Sequence, residues 1–179
     1  MNQLQKVLAG CGIAAIALAS HGALAASDGS LGSTSTGTSD VSLSIAAVYQ
    51  ITGLADLALG AYAGTGNMTG NDDVCVYTND ASGNYNVRIT DSSTLSAADF
   101  SVQNAGSTSD IPFTVSWDDG GGASAVTYNT QLASANADTS STTCSGGTNA
   151  NFAVDLLQAD LQAAPADSYS TTLTIVIEP

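Results

Sequence analysis

The amino-acid sequence predicts an all-β domain with the architecture of a Greek-key sandwich. Short apolar runs alternate with polar residues at a period of two, which is typical of strands with one buried face. Clusters of Gly, Asn, Asp and Ser separate these runs, as turns do. Seven or eight short strands in one chain are typical of a sandwich. The predicted runs are residues 41–45, 74–78, 85–90, 100–103, 111–117, 125–129, 152–157 and 169–177.

Residues 1–25 have the pattern of a secretory signal peptide. Lys6 precedes an apolar run, and Ala23-Leu24-Ala25 supplies small residues for cleavage. The segment that ends at Cys11 resembles a lipobox, but it lies too close to Lys6 to contain the apolar stretch a signal needs. We therefore predict cleavage after Ala25, which removes 25 of the 179 residues and leaves a mature chain of 154.

The mature chain is acidic and almost free of bases. Lys6 and His21 leave with the signal, so Arg88 alone faces all 16 acidic residues. Without His or Lys there is no Ser-His-Asp system, imidazole metal site, P-loop or Schiff base. The charge disfavours a nucleic-acid partner, and no apolar stretch of membrane-spanning length follows the signal. The sequence therefore predicts neither an enzyme, nor a cofactor or metal site, nor a membrane span.

Two cysteines remain, Cys75 and Cys144, in a chain addressed to an oxidising compartment. An even number of cysteines there predicts a disulfide. The bond would close a loop of 70 residues, counted inclusively, and the chain-entropy estimate is about 4 kcal/mol of stabilisation. A redox pair or a thiolate metal site is the alternative, but the Cys-x-x-Cys spacing and the histidines that favour either are missing.

Several other features have structural interpretations. Residues 156–164 favour helix by composition, but strand alternation leads into them and Pro165 follows, so we predict a strand end and a loop. Trp117 ends an alternating run and is expected in the core or at a subunit interface. Arg88 is expected in a surface ion pair. The acidic groups at 71–73 and 118–119 lack the calcium-loop spacing and are expected to be turn residues.

The start of the mature chain combines a tether with a strand pattern. Residues 26–39 are nearly all Ser, Thr and Gly, which predicts a flexible tether. Val41, Leu43 and Ile45 then alternate with serines. This segment is either the first strand of a closed sandwich or a strand that completes the sheet of a neighbouring subunit.

The end of the chain carries a second alternating run. Leu173, Ile175 and Ile177 occupy one face, and the sequence stops at Pro179. We therefore expect the last strand to lie at or near the edge of its sheet.

The order and spacing of several segments resemble those of chaperone–usher pilus subunits, both alpha-class colonisation-factor pilins and archaic, spore-coat-protein-U-like pilins. One segment resembles the Leu-x-Phe-Gly-x-Tyr box of the first strand, with Leu59 in place of Phe. The cysteine positions depart from the archaic pattern, and many alpha-class subunits have no disulfide. The segments that carry the resemblance are 41–47, 57–62, 78–81, 111–117 and 164–170.

The resemblance implies an immunoglobulin-like sandwich that lacks one strand, with a groove open beside the C-terminal strand. A periplasmic chaperone would fill this groove first, and the N-terminal segment of the next subunit would replace it at an outer-membrane usher. The implied organisation is a tether at 26–39, a donor strand at 40–47 and a sandwich at 48–179. The implied site residues are the donor side chains Val41, Leu43, Ile45 and Ala47 and the acceptor side chains Leu173, Ile175 and Ile177.

The expected function is that of a structural pilus subunit, secreted through the periplasm into a cell-surface fimbrium that supports adhesion or biofilm formation. It would form a homopolymer by donor-strand exchange. A tip adhesin with a glycan-binding, lectin-like domain is the alternative, although two domains would then be expected. A secreted glycosidase is disfavoured by the missing histidine and lysine.

Overall fold

The computed structural model describes residues 26–96 and 98–179, so the predicted signal segment and Cys11 lie outside the described residues. The chain divides into two units after Ile45. In the first, a pair of backbone hydrogen bonds joins Ser27 and Thr38, at 3.1 and 2.9 Å. The described elements of the second are β1 Tyr49–Thr52, β2 Met68–Thr78, β3 Tyr85–Thr90, β4 Ser101–Asn104, β5 Asp110–Pro112, β6 Thr114–Asp118, β7 Ser124–Val126, β8 Leu132–Ser134, β9 Ala150–Leu156, α1 Gln158–Ala163, β10 Tyr169–Ser170 and β11 Thr174–Glu178.

The largest sheet has the strand order β1-β2-β9-β6-β7. All of its ladders are antiparallel. The longest joins β2 to β9, from the pair Met68–Leu156 to the pair Val74–Ala150. This ladder explains why β2 begins at Met68, six residues before the predicted strand. The expectation that the acidic group at 71–73 forms a turn is therefore wrong, because its backbone pairs with β9 throughout. The polar residues at 69–73 lack the apolar alternation by which a strand is predicted.

Two three-stranded antiparallel sheets, β10-β4-β5 and β11-β3-β8, complete the domain. The predicted run 169–177 is divided between them, because β10 pairs with β4 and β11 pairs with β3. At the crossing, the amide of Thr172 donates to Oγ of Ser92 at 2.9 Å. The predicted run 111–117 is also divided between two sheets, because β5 pairs with β4 and β6 belongs to the largest sheet. The division falls at Phe113, whose amide donates to the carbonyl of Phe100 at 3.0 Å.

The core is formed by alternate side chains of the central strands. Val74 and Val76 of β2 and Val87 and Ile89 of β3 are fully buried and belong to one core cluster. Trp117 is 1% exposed, as expected for a core residue, and its indole Nε1 donates to the Tyr85 hydroxyl at 3.1 Å. Burial raises the pKa of Tyr85 to about 12. The all-β prediction is confirmed, and the antiparallel sheets agree with an immunoglobulin-like fold.

The prediction of a loop after β9 is wrong, since Gln158–Ala163 forms the helix α1. The β9 ladder ends at Leu156, because its partner Met68 is the first residue of β2. Without a strand partner, the good helix formers Gln, Ala and Leu form a turn and a half of helix. The helix ends at Ala163, and Ala164 is extended, as expected for a residue before proline.

The short strands β1 and β8 were not predicted, and the predicted run 125–129 is shorter than expected, ending at Val126. The structure pairs Cys75 with Cys144, as predicted, with their Cα atoms 5.8 Å apart. Cys75 also faces Thr52 across the β1–β2 ladder. The disulfide therefore attaches the 3-10 turn at Cys144–Gly146 to β2, next to the edge strand β1.

Arg88 forms the predicted ion pair, with Glu178 on β11 as its partner. The guanidinium Nε donates to Oε1 at 3.0 Å and Nη2 donates to Oε2 at 3.3 Å. The acidic residues at 118–119 act as turn residues, because Asp118 Oδ1 accepts hydrogen bonds from the amides of Gly120 and Gly122. No helix in residues 26–96 and 98–179 is long and apolar enough to cross a membrane.

Candidate strand-binding groove

An open groove of about 1100 Å³ lies across the domain, beside β11. One wall is the chain between β1 and β2, residues 54–62, and the other is the chain that leads into β11, residues 164–175. We call these the first wall and the second wall. The floor consists of apolar side chains from the three strands β4, β5 and β9 and from the residue between β5 and β6, namely Val102, Ile111, Phe113, Phe152, Val154 and Leu156.

The first wall has the alternation of a strand but belongs to no ladder in the described structure. Leu57 and Leu59 are half-buried and pack against the core, and the residues between and beside them are exposed. Gly70 on β2 leaves room for Leu59, because a Cβ there would lie only 2.6 Å from Leu59 Cδ2, whereas its distance of 3.5 Å from Leu57 Cδ1 would be an ordinary contact. The leucines thus lie directly on the β2 backbone.

Side chains attach the two ends of the first wall to the domain. The amide of Ala55 donates to Asp72 Oδ2 at 2.7 Å. Just beyond its other end, the amide of Gly66 donates to Gln158 Oε1 at 2.7 Å, and Gln162 Nε2 donates to the Gly64 carbonyl at 2.9 Å. The unpredicted helix α1 therefore supplies the attachment of this wall.

The second wall also presents alternate side chains. Leu173 and Ile175 line the groove and are half-buried, whereas Thr174 between them is exposed. β11 pairs with β3 along one edge and, among the described residues, with no strand along the other. A strand edge of this kind presents unpaired N–H and C=O groups and is a template for another strand.

The polar side chains of the groove lie on its two walls, whereas its floor is apolar. At the rim, Asn104 Nδ2 donates to Asp167 Oδ2 at 3.0 Å. This bond, followed by one from the Ser168 amide, holds the pKa of Asp167 below its usual range, so the carboxylate is charged at neutral pH. The hydroxyl of Tyr62 on the first wall is buried without a hydrogen-bond partner among the described residues. The groove is therefore suited to apolar side chains and to main-chain pairing.

The predicted donor side chains are exposed. Val41, Leu43 and Ile45 are 96%, 86% and 78% exposed, and Ala47 is also exposed. Residues 41–48 belong to no strand ladder in the described structure. Three large apolar side chains in alternation, all facing solvent, are unusual for a segment with a partner in its own chain.

Of the predicted acceptor residues, Leu173 and Ile175 line the groove, whereas Ile177 packs against the core beyond it. Sequence reasoning did not identify the first wall as part of the site. Its signal was the alternation of Leu57 and Leu59, which the resemblance assigned to a first strand. In the structure this stretch is unpaired, and it lies opposite the C-terminal strand across the groove.

Comparison with solved structures gives the fold a precedent. A chain of a solved chaperone–tip adhesin complex, described as vital for synergistic activation of CFA/I fimbriae biogenesis, is similar over 73% of this chain and 41% of its own, with a TM-score of 0.53 and 19% identity. The described fold is thus that of a domain found in a fimbrial assembly complex, and this chain spans about two fifths of the length of that chain.

Two structures of CfaE, the adhesive subunit of CFA/I fimbria of enterotoxigenic Escherichia coli, align at a TM-score of 0.48. One is 14% identical to this chain and the other, a mutant of CfaE, is 17% identical, and each alignment covers 68% of this chain and 38% of CfaE. Similarity at that level carries no weight for the fold. No protein-family model and no curated protein sequence matches the chain.

Proposed function

We propose that this protein is a structural subunit of a cell-surface pilus and that it polymerises by donor-strand exchange. The groove is the observation that carries the proposal. Its two walls present alternate apolar side chains, and neither wall has a ladder partner on the side that faces the groove, among the residues described. The segment 40–47 has the same alternation and is exposed. The segment of one copy supplies the strand that the groove of the next copy lacks.

The chemistry of such a joint follows from strand pairing. Main-chain hydrogen bonds along the free edge of β11 give affinity, and alternate side chains that enter the groove set the register. Burial of Val41, Leu43 and Ile45 contributes roughly 1.5–3 kcal/mol for each side chain. The contact joins two different surfaces and does not close, so repetition yields a filament.

The proposal includes the partners and the location that such assembly requires. A chaperone in the periplasm holds the groove before assembly, an usher in the outer membrane joins the subunits, and the product is a secreted, non-catalytic fimbrium that supports adhesion or biofilm formation. The likeness to a chain from a chaperone–tip adhesin complex supports the chaperone. The acidic surface suits a filament that stays soluble along its length.

The test is a charge placed in the segment. Leu43→Asp would bring an unpaired carboxylate into the apolar groove, which costs several kcal/mol, so filaments should be lost while the subunit keeps its fold. Leu31→Asp is the matched control, because Leu31 is also fully accessible but lies outside residues 40–47. Electron microscopy of the assembled material and circular dichroism of the monomer make the measurement.

A synthetic peptide of residues 40–47 gives a second measurement. It should bind the subunit that lacks residues 26–47 and raise its melting temperature, and the same peptide with Leu43→Asp should not. Filaments formed by the Leu43→Asp protein, or no binding of the wild-type peptide, would contradict the proposal. Isolated particles that bind glycans would instead identify the protein as a tip adhesin.

A further inference from the structure

We propose that Asn79 is the positioning residue of the subunit joint: its side chain holds the backbone at Ala46–Val48, from which the segment 40–47 leaves the domain. The expected effect of Asn79 on a filament rests on the proposed function, but the hydrogen bonds that hold Ala46–Val48 lie within one subunit. Asn79 belongs to the stretch 78–81 that resembles pilin sequences, and it does not line the groove.

The hydrogen bonds of Asn79 extend the β1–β2 ladder beyond its last residue pair, Tyr49–Thr78. The Asn79 amide donates to the Val48 carbonyl at 3.3 Å. The side chain of Asn79 then makes the hydrogen bonds that the backbone of a further β2 residue would make in a longer ladder. Oδ1 accepts from the Val48 amide at 2.8 Å, and Nδ2 donates to the Ala46 carbonyl at 3.0 Å.

These bonds are the last attachment before the exposed segment. Among the described residues, 39–45 neither donate nor accept a hydrogen bond. In a filament, Ala46–Val48 would stay attached to their own domain and connect β1 to residues 40–45, the part of the segment seated in the neighbour. Each residue released there frees two backbone torsions. The angle between consecutive subunits would then vary, and the filament would bend more easily.

Asparagine is suited to this role by its chemistry. The amide combines an acceptor and two donors in one short, planar group, which is what an N–H and a C=O two residues apart require. Aspartate keeps the acceptor for Val48 but loses the donor, and its charge faces the Ala46 carbonyl. Asn79→Asp should therefore retain one of the two side-chain contacts, and Asn79→Ala neither.

The first experiment uses the subunit with its groove filled by the peptide of residues 40–47, so that no polymer forms. Backbone ¹⁵N order parameters at Ala46–Val48 should fall from about 0.85 to below about 0.6 in Asn79→Ala, with an intermediate value in Asn79→Asp. Asn84→Ala is the control, because Asn84 is exposed and its side chain has no hydrogen bond in the described structure. The affinity for the peptide should be unchanged in all variants.

The second experiment measures the persistence length of filaments by electron microscopy. Asn79→Ala filaments should form but lose stiffness, and Asn84→Ala filaments should match the wild type. Unchanged order parameters in Asn79→Ala overturn the proposal, whether or not filaments form. Reduced order parameters with unchanged stiffness overturn it as well. If the wild type forms no filament, the proposed function fails, and the order parameters alone decide whether Asn79 holds this backbone.

Discussion

Two stretches of this chain carry the same apolar alternation in different surroundings. Val41, Leu43 and Ile45 are exposed and belong to no ladder in the described structure, whereas the C-terminal run 173–177 is largely half-buried and pairs with β3 along one edge. Both runs have the residues that favour a strand. The difference is that, within residues 26–96 and 98–179, only the second has a strand partner in its own chain.

The comparison teaches that alternation predicts a strand-forming tendency and leaves the partner open. A strand needs another backbone for its N–H and C=O groups, so that backbone decides where an alternating run ends up. The C-terminal run uses one edge for β3 and leaves the other edge beside the groove. The N-terminal run uses neither edge. The C-terminal run has a free edge and the N-terminal run has no strand partner among the described residues, so each can supply what the other needs. The proposed polymerisation rests on this pairing.

The largest expected effect concerns the domain alone. Replacing Cys75 and Cys144 together by serine removes the cross-link of a 70-residue loop and should lower the free energy of unfolding by about 4 kcal/mol. Urea denaturation of the monomer measures the change. The amide exchange of residues 41–45 should be the same in both proteins, since those residues have no ladder to lose. Slower amide exchange at 41–45 in the disulfide-bonded protein would show that these residues are paired within their own chain, which would contradict the comparison.

A matched isoleucine pair gives the next largest effect. Ile175→Ala removes a half-buried side chain that packs against the core and should cost the monomer about 2 kcal/mol, at the low end for buried Ile→Ala changes. Ile45→Ala removes the same atoms from a side chain that is 78% exposed and should change stability by less than about 0.5 kcal/mol. Equal costs in urea denaturation would show that Ile45 packs within its own chain.

The sequence predicted those parts of the fold in which side-chain pattern and backbone pairing coincide. Val87 and Ile89 alternate with polar residues and form a central strand, and Trp117 is buried in the core near the end of β6, as expected of a core residue. The predictions failed where pairing is independent of pattern. The strand β2 runs through Asn71, Asp72 and Asp73 because β9 lies beside it for seven residues.

The site was only partly predictable for a related reason. Alternation located Leu173 and Ile175, and both line the groove. The first wall depends on Gly70, which allows Leu59 to lie on β2, and on α1, which holds the end of the wall at Gly64. Contacts of this kind join residues that lie apart in the sequence, so a local sequence pattern cannot predict them. The strand break at Phe113 has the same origin, in a hydrogen bond to Phe100.

The smallest expected effect concerns the attachment of the C-terminal strand. Hydrogen bonds from Arg88 and then from Gln131 hold the pKa of Glu178 below its usual 4.5. A lowered carboxyl pKa means that the stabilisation is complete above the ordinary value and disappears as the pH falls through the lowered one. Glu178→Gln should therefore lower the melting temperature slightly at pH 7, by an amount that shrinks as the pH falls below 4.5.

The two side chains are 32% and 24% exposed, so added salt should reduce the difference further. The exposed Asp28, on the N-terminal segment, supplies the control Asp28→Asn, which also removes one carboxylate but breaks no side-chain hydrogen bond in the described structure. Thermal melts of both variants and the wild type from neutral to acidic pH make the measurement. A Glu178→Gln difference that stays constant over this range would mean that the side chain's packing, and not its charge, attaches β11 to β3.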